Sequence, residues 1–465
     1  MSSYKFRDLS SASKSLVLID FTVFCFAFLM SLHINRYFQF TEIYRVENNI
    51  VIIFTLLFAV VLQLSALSLG LYNSKLRENF RGVIRRVLLA VAVSFLVISL
   101  FLYGKKLVPL EVLFLAAVLS FILGVMFRYL IFNIDFFGFN KRNILVLGSG
   151  SRSSVIEKRM RRNVDRQAFH VHGFIIMEGD NNKGIINEKR IKLDSSLLDY
   201  VLKNNIDEIV VAGDERRTNL PIDELFACKI RGIEVTEILD FIERETGQIA
   251  VNLIYPSWVI YSNGFASDNY LRNTLDSIFN GALAFILLFL TWPIMLITAI
   301  LIKLNDGPNA PIFYSQKRVG LDGNAFNIMK FRSMRIDAEK NGAQMASAND
   351  QRITKLGNIL RKYRIDELPQ VYNVLCGDMG FVGPRPERPE FVKKLVKTIP
   401  YYNERHSIKP GLTGWAQLKY PYGATEADSL EKLKYDLYHI KHRSFLLDIL
   451  ILIRTVEVVL FGKGR

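Results

Sequence analysis

The chain has 465 residues, of which 50% are hydrophobic and 22% charged, and it carries a net charge of +15, enough length for two or three domains. Its three cysteines, Cys25, Cys228 and Cys376, are odd in number and far apart, which argues against a disulfide framework or a Cys-rich metal site and fits a reduced compartment. The lysines and arginines lie beside long apolar runs, and the sequence carries no zinc-finger spacing or other nucleic-acid signature, so its charge points to a membrane surface and phosphorylated substrates.

Four apolar stretches open the chain, roughly Ser15 to Leu32, Ile50 to Tyr72, Val87 to Tyr103 and Leu107 to Phe127. Each is close to the ~20 residues that cross a bilayer core. The first is long for a signal sequence and lacks a small-residue cleavage site, so it reads as an anchor. Asp20, near its start, is expected close enough to the interface to stay wet, because a carboxylate deep in lipid is costly. Lys5, Arg7 and Lys14 precede the first stretch, and Lys75, Arg77, Arg81, Arg85 and Arg86 follow the second. The other two loops carry only Arg36 with Arg45, and Lys105 with Lys106. The positive-inside rule therefore puts the N-terminus and second loop in the cytoplasm, to which four crossings return the chain before Lys141.

From Lys141 to about Phe265 the pattern changes. "NILVLGSGSRSS", "VHGFIIM", "IDEIVVAG" and "GIEVTEI" read as strands separated by helical lengths, the alternation of a parallel α/β domain with a Rossmann-like fold. Gly148 and Gly150 follow a strand, but Ser153 stands where a dinucleotide fingerprint has its third glycine. A regulatory or oligomerising role, including a homodimer, suits this domain better than a bound dinucleotide.

A second apolar block runs from Ser277 to Leu304 with Pro293 in its middle. Proline removes a backbone donor and bends a helix. Periodicity alone favours an ordinary kinked spanning helix. A bent helix that enters and leaves by one face is the alternative, permitted where freed backbone groups find partners.

Beyond Lys303 the chain reads as soluble and strongly patterned. "FYSQKRVGLDGNAFNIMKFRSM" sets Lys317, Arg318, Lys330 and Arg332 around a hairpin. In "TKLGNILRKYRIDELPQVYNVL" the first part is helical, and the spacing puts Arg361 and Arg364 on one face. Pro369 suits the first turn of a new helix, which places Asp366 and Glu367 near a helix N-terminus, where amide groups favour an ionised carboxylate. An ionised acid among cations can hold Mg²⁺, act as a base or attack phosphorus. The closing run "FLLDILILIRTVEVVLF" contains Asp448, Arg454 and Glu457, too many charges for a comfortable span, and reads as an interfacial helix.

The blocks "KFRSM", "RIDELPQVYNVLCGDM", "VGPRPE" and "KPGLTGWAQ", in this order over Ser277 to the C-terminus, resemble the bacterial polyprenyl-phosphate sugar-1-phosphate transferases, or monotopic phosphoglycosyl transferases. The front of the chain is similar to the long-form members, which begin exopolysaccharide, capsule or O-antigen units. The resemblance implies transfer of a sugar phosphate from a UDP-sugar, glucose or galactose first, to undecaprenyl phosphate, with UMP leaving. It implies Asp366 as the nucleophile of a phosphosugar-aspartyl intermediate, with Glu367 completing the dyad and helping to hold Mg²⁺. Arg385, between Pro384 and Pro386, would meet the nucleotide. Lys330, Arg332 and Arg361 would balance phosphate charge. Pro293 would be the break of a re-entrant membrane helix, which keeps the site at the cytoplasmic face of the inner membrane and turns the preference to that topology. Many relatives have Ser or Thr where this chain has Arg364, and Gly-Arg follows "GWAQ" in shorter relatives where this chain reads "LKYPYGA".

The expected layout is a four-helix transmembrane region (1–140), a Rossmann-like domain (141–265), a re-entrant helix (266–304), an α/β catalytic domain (305–443) and an interfacial helix (444–465). Two other functions fit the same residues: the same transfer by direct Mg²⁺-assisted attack of the lipid phosphate, or a non-catalytic nucleotide-sugar-binding regulator of polysaccharide assembly.

Overall fold

The structure is a computed structural model that describes residues 11–38, 48–69, 71–72, 80–102, 108–134, 142–160, 166, 169–180, 189–193, 196–214, 220–255, 258, 260, 262, 264–265, 270–335, 352–420, 423 and 425–460. Lys5, Arg7, Arg45, Lys75, Arg77, Lys105 and Lys106, part of the orientation argument, lie outside the described residues, as do Tyr103, Leu107 and Lys141, which bound expected segments. The chain forms two compact units, Met1–Phe241 and Ile242–Arg465.

The first unit begins with helices α1 (Ser11–Phe38), α2 (Asn48–Ser68), α3 (Phe80–Leu102) and α4 (Leu110–Ile134). None contains proline, and Pro109 stands just before α4, where its carbonyl accepts the amides of Val112 and Leu113. Helix α1 packs against α2 and α4, and α3 against the same two. Phe28, Phe58, Leu62 and Ala116 fill the interior, while Leu18, Leu100 and Phe114 point outward and stay exposed. A helix apolar on its outer face as well as its inner one is suited to lipid. The stretches Leu16–Tyr37, Val83–Phe101 and Leu110–Leu130 are long and apolar enough to cross a membrane, and Val51–Leu67 is a shorter apolar helix.

Asp20 is not at a wet boundary. It is fully buried in the bundle and paired with Arg128 of α4, whose Nη1 lies 3.2 Å from Oδ1. The Tyr72 hydroxyl donates to Asp20 Oδ2 at 2.5 Å, and Gln63 donates to the Tyr72 oxygen at 3.0 Å. A buried carboxylate persists because a cation and a hydroxyl replace its water.

The rest of this unit is a five-stranded parallel sheet in the order β3-β2-β1-β4-β5, with β1 (Arg142–Leu147) at its centre between β2 (Phe169–Ile175) and β4 (Glu208–Val211). Strand β3 (Arg190–Ile191) is a two-residue edge not foreseen from the sequence, and β5 (Glu234–Glu237) closes the other side. Helices α5 (Ser154–Arg159), α6 (Leu197–Lys203) and α7 (Ile222–Ile230) lie between the strands, and α8 (Ile238–Thr246) follows β5. The run Ile144–Leu147 is buried, as expected for a parallel strand covered on both faces. The Gly148–Ser153 turn lies between β1 and β4, where the strand order reverses. Its amides are taken by the chain's own acids. Ser149 donates to Asp180 at 2.6 Å, and Ser151 and Arg152 donate to Asp214 at 2.9 Å each. A β-carbon at Gly150 would stand 2.2 Å from Asp214 Oδ2.

In the second unit, α9 (Tyr270–Asp306) is a continuous 37-residue helix with Pro293 inside it. Phe285, Phe289 and Leu290 are exposed. Strands β6 (Phe313–Val319) and β7 (Ala325–Phe331) form the expected antiparallel hairpin, pairing Phe313 with Phe331 and Val319 with Ala325. Then come α10 (Lys355–Lys362), a 3-10 turn at Ile365–Glu367, α11 (Gln370–Leu375), β8 (Gly380–Val382), α12 (Pro389–Thr398), β9 (Gly411–Thr413), α13 (Trp415–Lys419), α14 (Glu426–Lys441) and α15 (Phe445–Leu460). Strands β8 and β9 pair in parallel. Ala284 of α9 shares a core with Ile328, Val371, Val374, Met379 and Phe381, and Asn280 of α9 accepts the Phe381 amide at 2.8 Å. The membrane-type helix is thus fastened to the strand that leads into Pro384-Arg385-Pro386. Helix α15 buries Ile451 against Trp415, Ala416 and Tyr435, and its Asp448 meets His439 at 2.8 Å.

Candidate active site

Helix α10 starts with Thr354, whose hydroxyl accepts the Gly357 amide, and stops at Lys362. Arg364 follows in the left-handed region, at φ 56° and ψ 21°. The acids therefore lie in a separate 3-10 turn, and Pro369 immediately precedes α11. Arg361 lies in the last turn of one helix while Arg364 lies beyond it, so they do not share a helical face as their spacing suggested.

Asp366 and Glu367 are both buried. Three cations converge on one oxygen of Glu367: Lys330 Nζ at 3.0 Å, Arg364 Nη1 at 3.3 Å and Arg385 Nη2 at 2.9 Å from Oε1. Asp366 Oδ1, in contrast, is buried and meets no hydrogen-bond donor among the described residues. Burial and the adjacent Glu367 push the Asp366 carboxyl above the usual aspartate range, against Lys330, Arg361 and Arg364. Burial also works to raise Glu367, but Lys330, Arg385 and Arg364 outweigh it and hold that carboxyl well below the usual range. The sequence pattern leads to two carboxyls both favoured in the ionised form, and that holds for Glu367 but not for Asp366. The cations reach Glu367 instead, and the ionised Glu367 opposes a second charge beside it.

The other predicted residues divide around this pair. Arg385 joins Glu367 to Gln417, whose Oε1 accepts from Nη1 at 3.1 Å. Arg361 contributes its charge to Asp366 while its Nε donates to Ser333 Oγ at 3.1 Å. Arg332 Nε donates to the Pro311 carbonyl at 3.0 Å. Pro384 and Pro386 flank Arg385 in a loop whose carbonyls are held one by one. The Gly411 amide reaches Pro384 O at 3.0 Å, Arg405 Nη2 reaches Arg385 O at 3.0 Å and Arg318 Nη1 reaches Pro386 O at 3.0 Å. Arg405 is itself buried against Asp436, with its Nη2 at 2.8 Å from Oδ2. Pro293 lies within α9.

Gln417, Arg405, Arg318 and Asn373 had no assigned part at the sequence level. Asn373 accepts the Met329 amide at 3.0 Å and donates to Asn327 O at 2.8 Å, which fixes α11 to the strand bearing Lys330. Gln417 lies inside the quoted "GWAQ" block and Arg405 just ahead of "KPGLTGWAQ", but their targets are remote in sequence.

Chemically, the arrangement pairs one cation-saturated carboxylate with one carboxylate whose buried oxygen has no donor among the described residues. Lys330, Arg361, Arg364 and Arg385 surround two acids, leaving two positive charges over for an anionic substrate. Among the described residues no three His, Cys, Asp or Glu side chains group as metal ligands. The Asp366 carboxylate fits Mg²⁺, which uses one or two carboxylates plus substrate phosphate.

Residues 271–462 match the family described as Bacterial sugar transferase. The chain is 39% identical over 240 residues to the UDP-N-acetylgalactosamine-undecaprenyl-phosphate N-acetylgalactosaminephosphotransferase of Aeromonas hydrophila, a match covering 52% of this chain and 55% of that one. It is 37% identical over 201 residues to the UDP-glucose:undecaprenyl-phosphate glucose-1-phosphate transferase of Escherichia coli (strain K12), covering 42% of each. It is 38% identical over 194 residues to the uncharacterized sugar transferase EpsL of Bacillus subtilis (strain 168), covering 41% of this chain and 89% of that one. The chain spans about half the length of the first of these curated relatives and somewhat less of the second.

Proposed function

The chain belongs to the bacterial sugar transferase family, and on that premise we propose that it transfers a sugar 1-phosphate from a UDP-sugar to undecaprenyl phosphate and releases UMP. The observation that carries this reading is the buried Asp366 Oδ1 without a hydrogen-bond donor, next to a Glu367 already neutralised by three cations. A carboxylate raised in basicity is the stronger nucleophile once ionised. Asp366 attacks the phosphorus that bears the sugar. The Asp–phosphorus bond forms as the bond to the UMP oxygen breaks. An oxygen of undecaprenyl phosphate then attacks the same phosphorus and frees Asp366.

Arg385 faces the nucleotide side of the donor, held by Pro384, Pro386 and Arg405. Lys330 and Arg361 bring charge from the hairpin and from α10, with Arg332 nearby in sequence. Mg²⁺, held by Asp366 with Glu367 beside it, would neutralise diphosphate charge. Phosphoryl transfer depends mainly on such positioning and charge stabilisation. Glucose and galactose are the first donors to test, and the relatives' names add N-acetylgalactosamine. A panel of UDP-sugars scored by UMP release tests the reading. UDP in place of UMP would mean ordinary glycosyl transfer, and no nucleotide product would favour the regulator.

Topology is part of the same proposal. Helix α9 is 37 residues long, about 55 Å at the usual rise, against a hydrocarbon core of about 30 Å. Pro293 frees the carbonyl four residues before it and supplies the bend for a re-entrant path at the cytoplasmic face of the inner membrane. Single cysteines at Asn309 and Ile230, in a chain without native cysteines, should react with an impermeant reagent only after permeabilisation. Labelling at Asn309 in intact spheroplasts would mean that α9 spans.

A further inference from the structure

Arg364 occupies a position that a polypeptide ordinarily gives to glycine. Helix α10 ends at Lys362, Tyr363 is its last cap, and Arg364 follows with φ 56°. A side chain with a β-carbon is disfavoured in this left-handed region, and glycine is the usual helix-ending residue there. The described non-glycine residues with positive φ are Asn205, Asp322, Arg364 and Tyr401. Of these, Arg364 is the one whose side chain forms an ion pair with Glu367. Backbone strain held at a site is a pointer to function when the strained residue makes a contact the site uses.

That contact has a definite place. Glu367 Oε1 receives Lys330 from β7, Arg385 from the loop after β8, and Arg364 from the left-handed turn. Three separate elements thus hold one carboxylate oxygen, and Asp366 Oδ1 beside it stays without a donor among the described residues.

We propose that Arg364 is a positioning residue of this site, kept in a strained turn so that its guanidinium fastens Glu367 and not Asp366 Oδ1, which is left without a donor to meet the reacting phosphorus. The second half of that statement rests on the sugar-phosphate transfer reading; the first half does not. Lys330, Arg364 and Arg385 face Glu367, and Glu367, Lys330, Arg361 and Arg364 face Asp366.

The test uses the full chain in detergent, as wild type, Arg364→Gly and Arg364→Lys. Amide hydrogen exchange of the peptide spanning Ile365–Tyr372 reports how firmly the turn is held, whatever reaction the protein performs. In Arg364→Gly that peptide should exchange about tenfold faster, with an unfolding midpoint no lower than wild type because glycine suits the turn. Arg364→Lys should return the exchange most of the way. In parallel, kcat for UMP release should fall about tenfold in Arg364→Gly with the donor KM little changed, and Arg364→Lys should recover most of it. Unchanged exchange in Arg364→Gly overturns the inference. So does a drop in unfolding midpoint in both variants that accounts for the lost activity, since Arg364 would then be structural only. If wild type releases no UMP while the exchange still rises in Arg364→Gly and returns in Arg364→Lys, the transfer reading fails and the hold on Glu367 stands.

Discussion

Each unit has a place where carboxylates meet groups that attract anions, and the two places are balanced differently. In the first unit the Gly148–Ser153 turn offers amides at the end of β1, and Asp180 and Asp214 accept them. Deeper in the helical bundle, Asp20 is matched by Arg128 and Tyr72. In the second unit four cations surround two acids, and an Asp366 oxygen has no donor among the described residues. A closed network stabilises a fold; a network with charge left over and an oxygen without a donor is prepared for a ligand. The difference explains why similar ingredients, a turn and a pair of acids, lead to a structural reading in one unit and a chemical one in the other.

Substitutions can break that contrast. The largest effect is expected at Asp366. Asp366→Asn keeps the shape but removes the proposed nucleophile and should abolish UMP release with the unfolding midpoint preserved; full activity in this variant would make the oxygen without a donor incidental. Next comes the matched pair in the bundle. Asp20→Ala or Arg128→Leu alone leaves a buried charge unpaired and should cost about 3–5 kcal/mol of stability, while the double substitution should recover most of it. Thermal unfolding in detergent distinguishes the cases, and a double variant no better than the singles would show that the pair is not the unit of stability. Arg385→Ala should cost about 2.7–4 kcal/mol in transition-state stabilisation, roughly 10²–10³ in rate, typical of a lost charge contact to a reacting group. It also severs Glu367 from Gln417. A change in donor KM alone would place Arg385 in binding only. The smallest effect is expected at Asp214. Asp214→Ala leaves the Ser151 and Arg152 amides without their acceptor and should cost about 1–3 kcal/mol of stability, with UMP release unchanged. Lost turnover at unchanged stability would mean that the turn does more than close on itself.

Much of the second unit was legible from local pattern. The hairpin, the acids among cations and Pro-Arg-Pro all follow from residues close together in the chain. The apolar helices were legible for the same reason, since length and composition suffice. What stayed hidden depends on partners remote in sequence. Asp20 looked exposed because its partner is Arg128, 108 residues away, and no local rule joins α1 to α4. Asp214 lies 63 residues beyond Ser151, so the turn could look open to phosphate. The assignment of charge within the dyad needed the positions of Lys330 and Arg385, which arrive from β7 and from the loop after β8. The end of α10 was misplaced for a different reason. Helical spacing runs on through Arg364, and nothing in an arginine announces a left-handed turn.

The most direct test of the nucleophile is isotope exchange without lipid. Purified protein, Mg²⁺, a UDP-sugar that supports turnover and labelled UMP are incubated in detergent with no undecaprenyl phosphate. Attack by Asp366 should carry label from UMP into the UDP-sugar, and Asp366→Asn should not. A preparation active in full transfer that exchanges no label, or a sugar phosphate trapped on any residue other than Asp366, would contradict the mechanism.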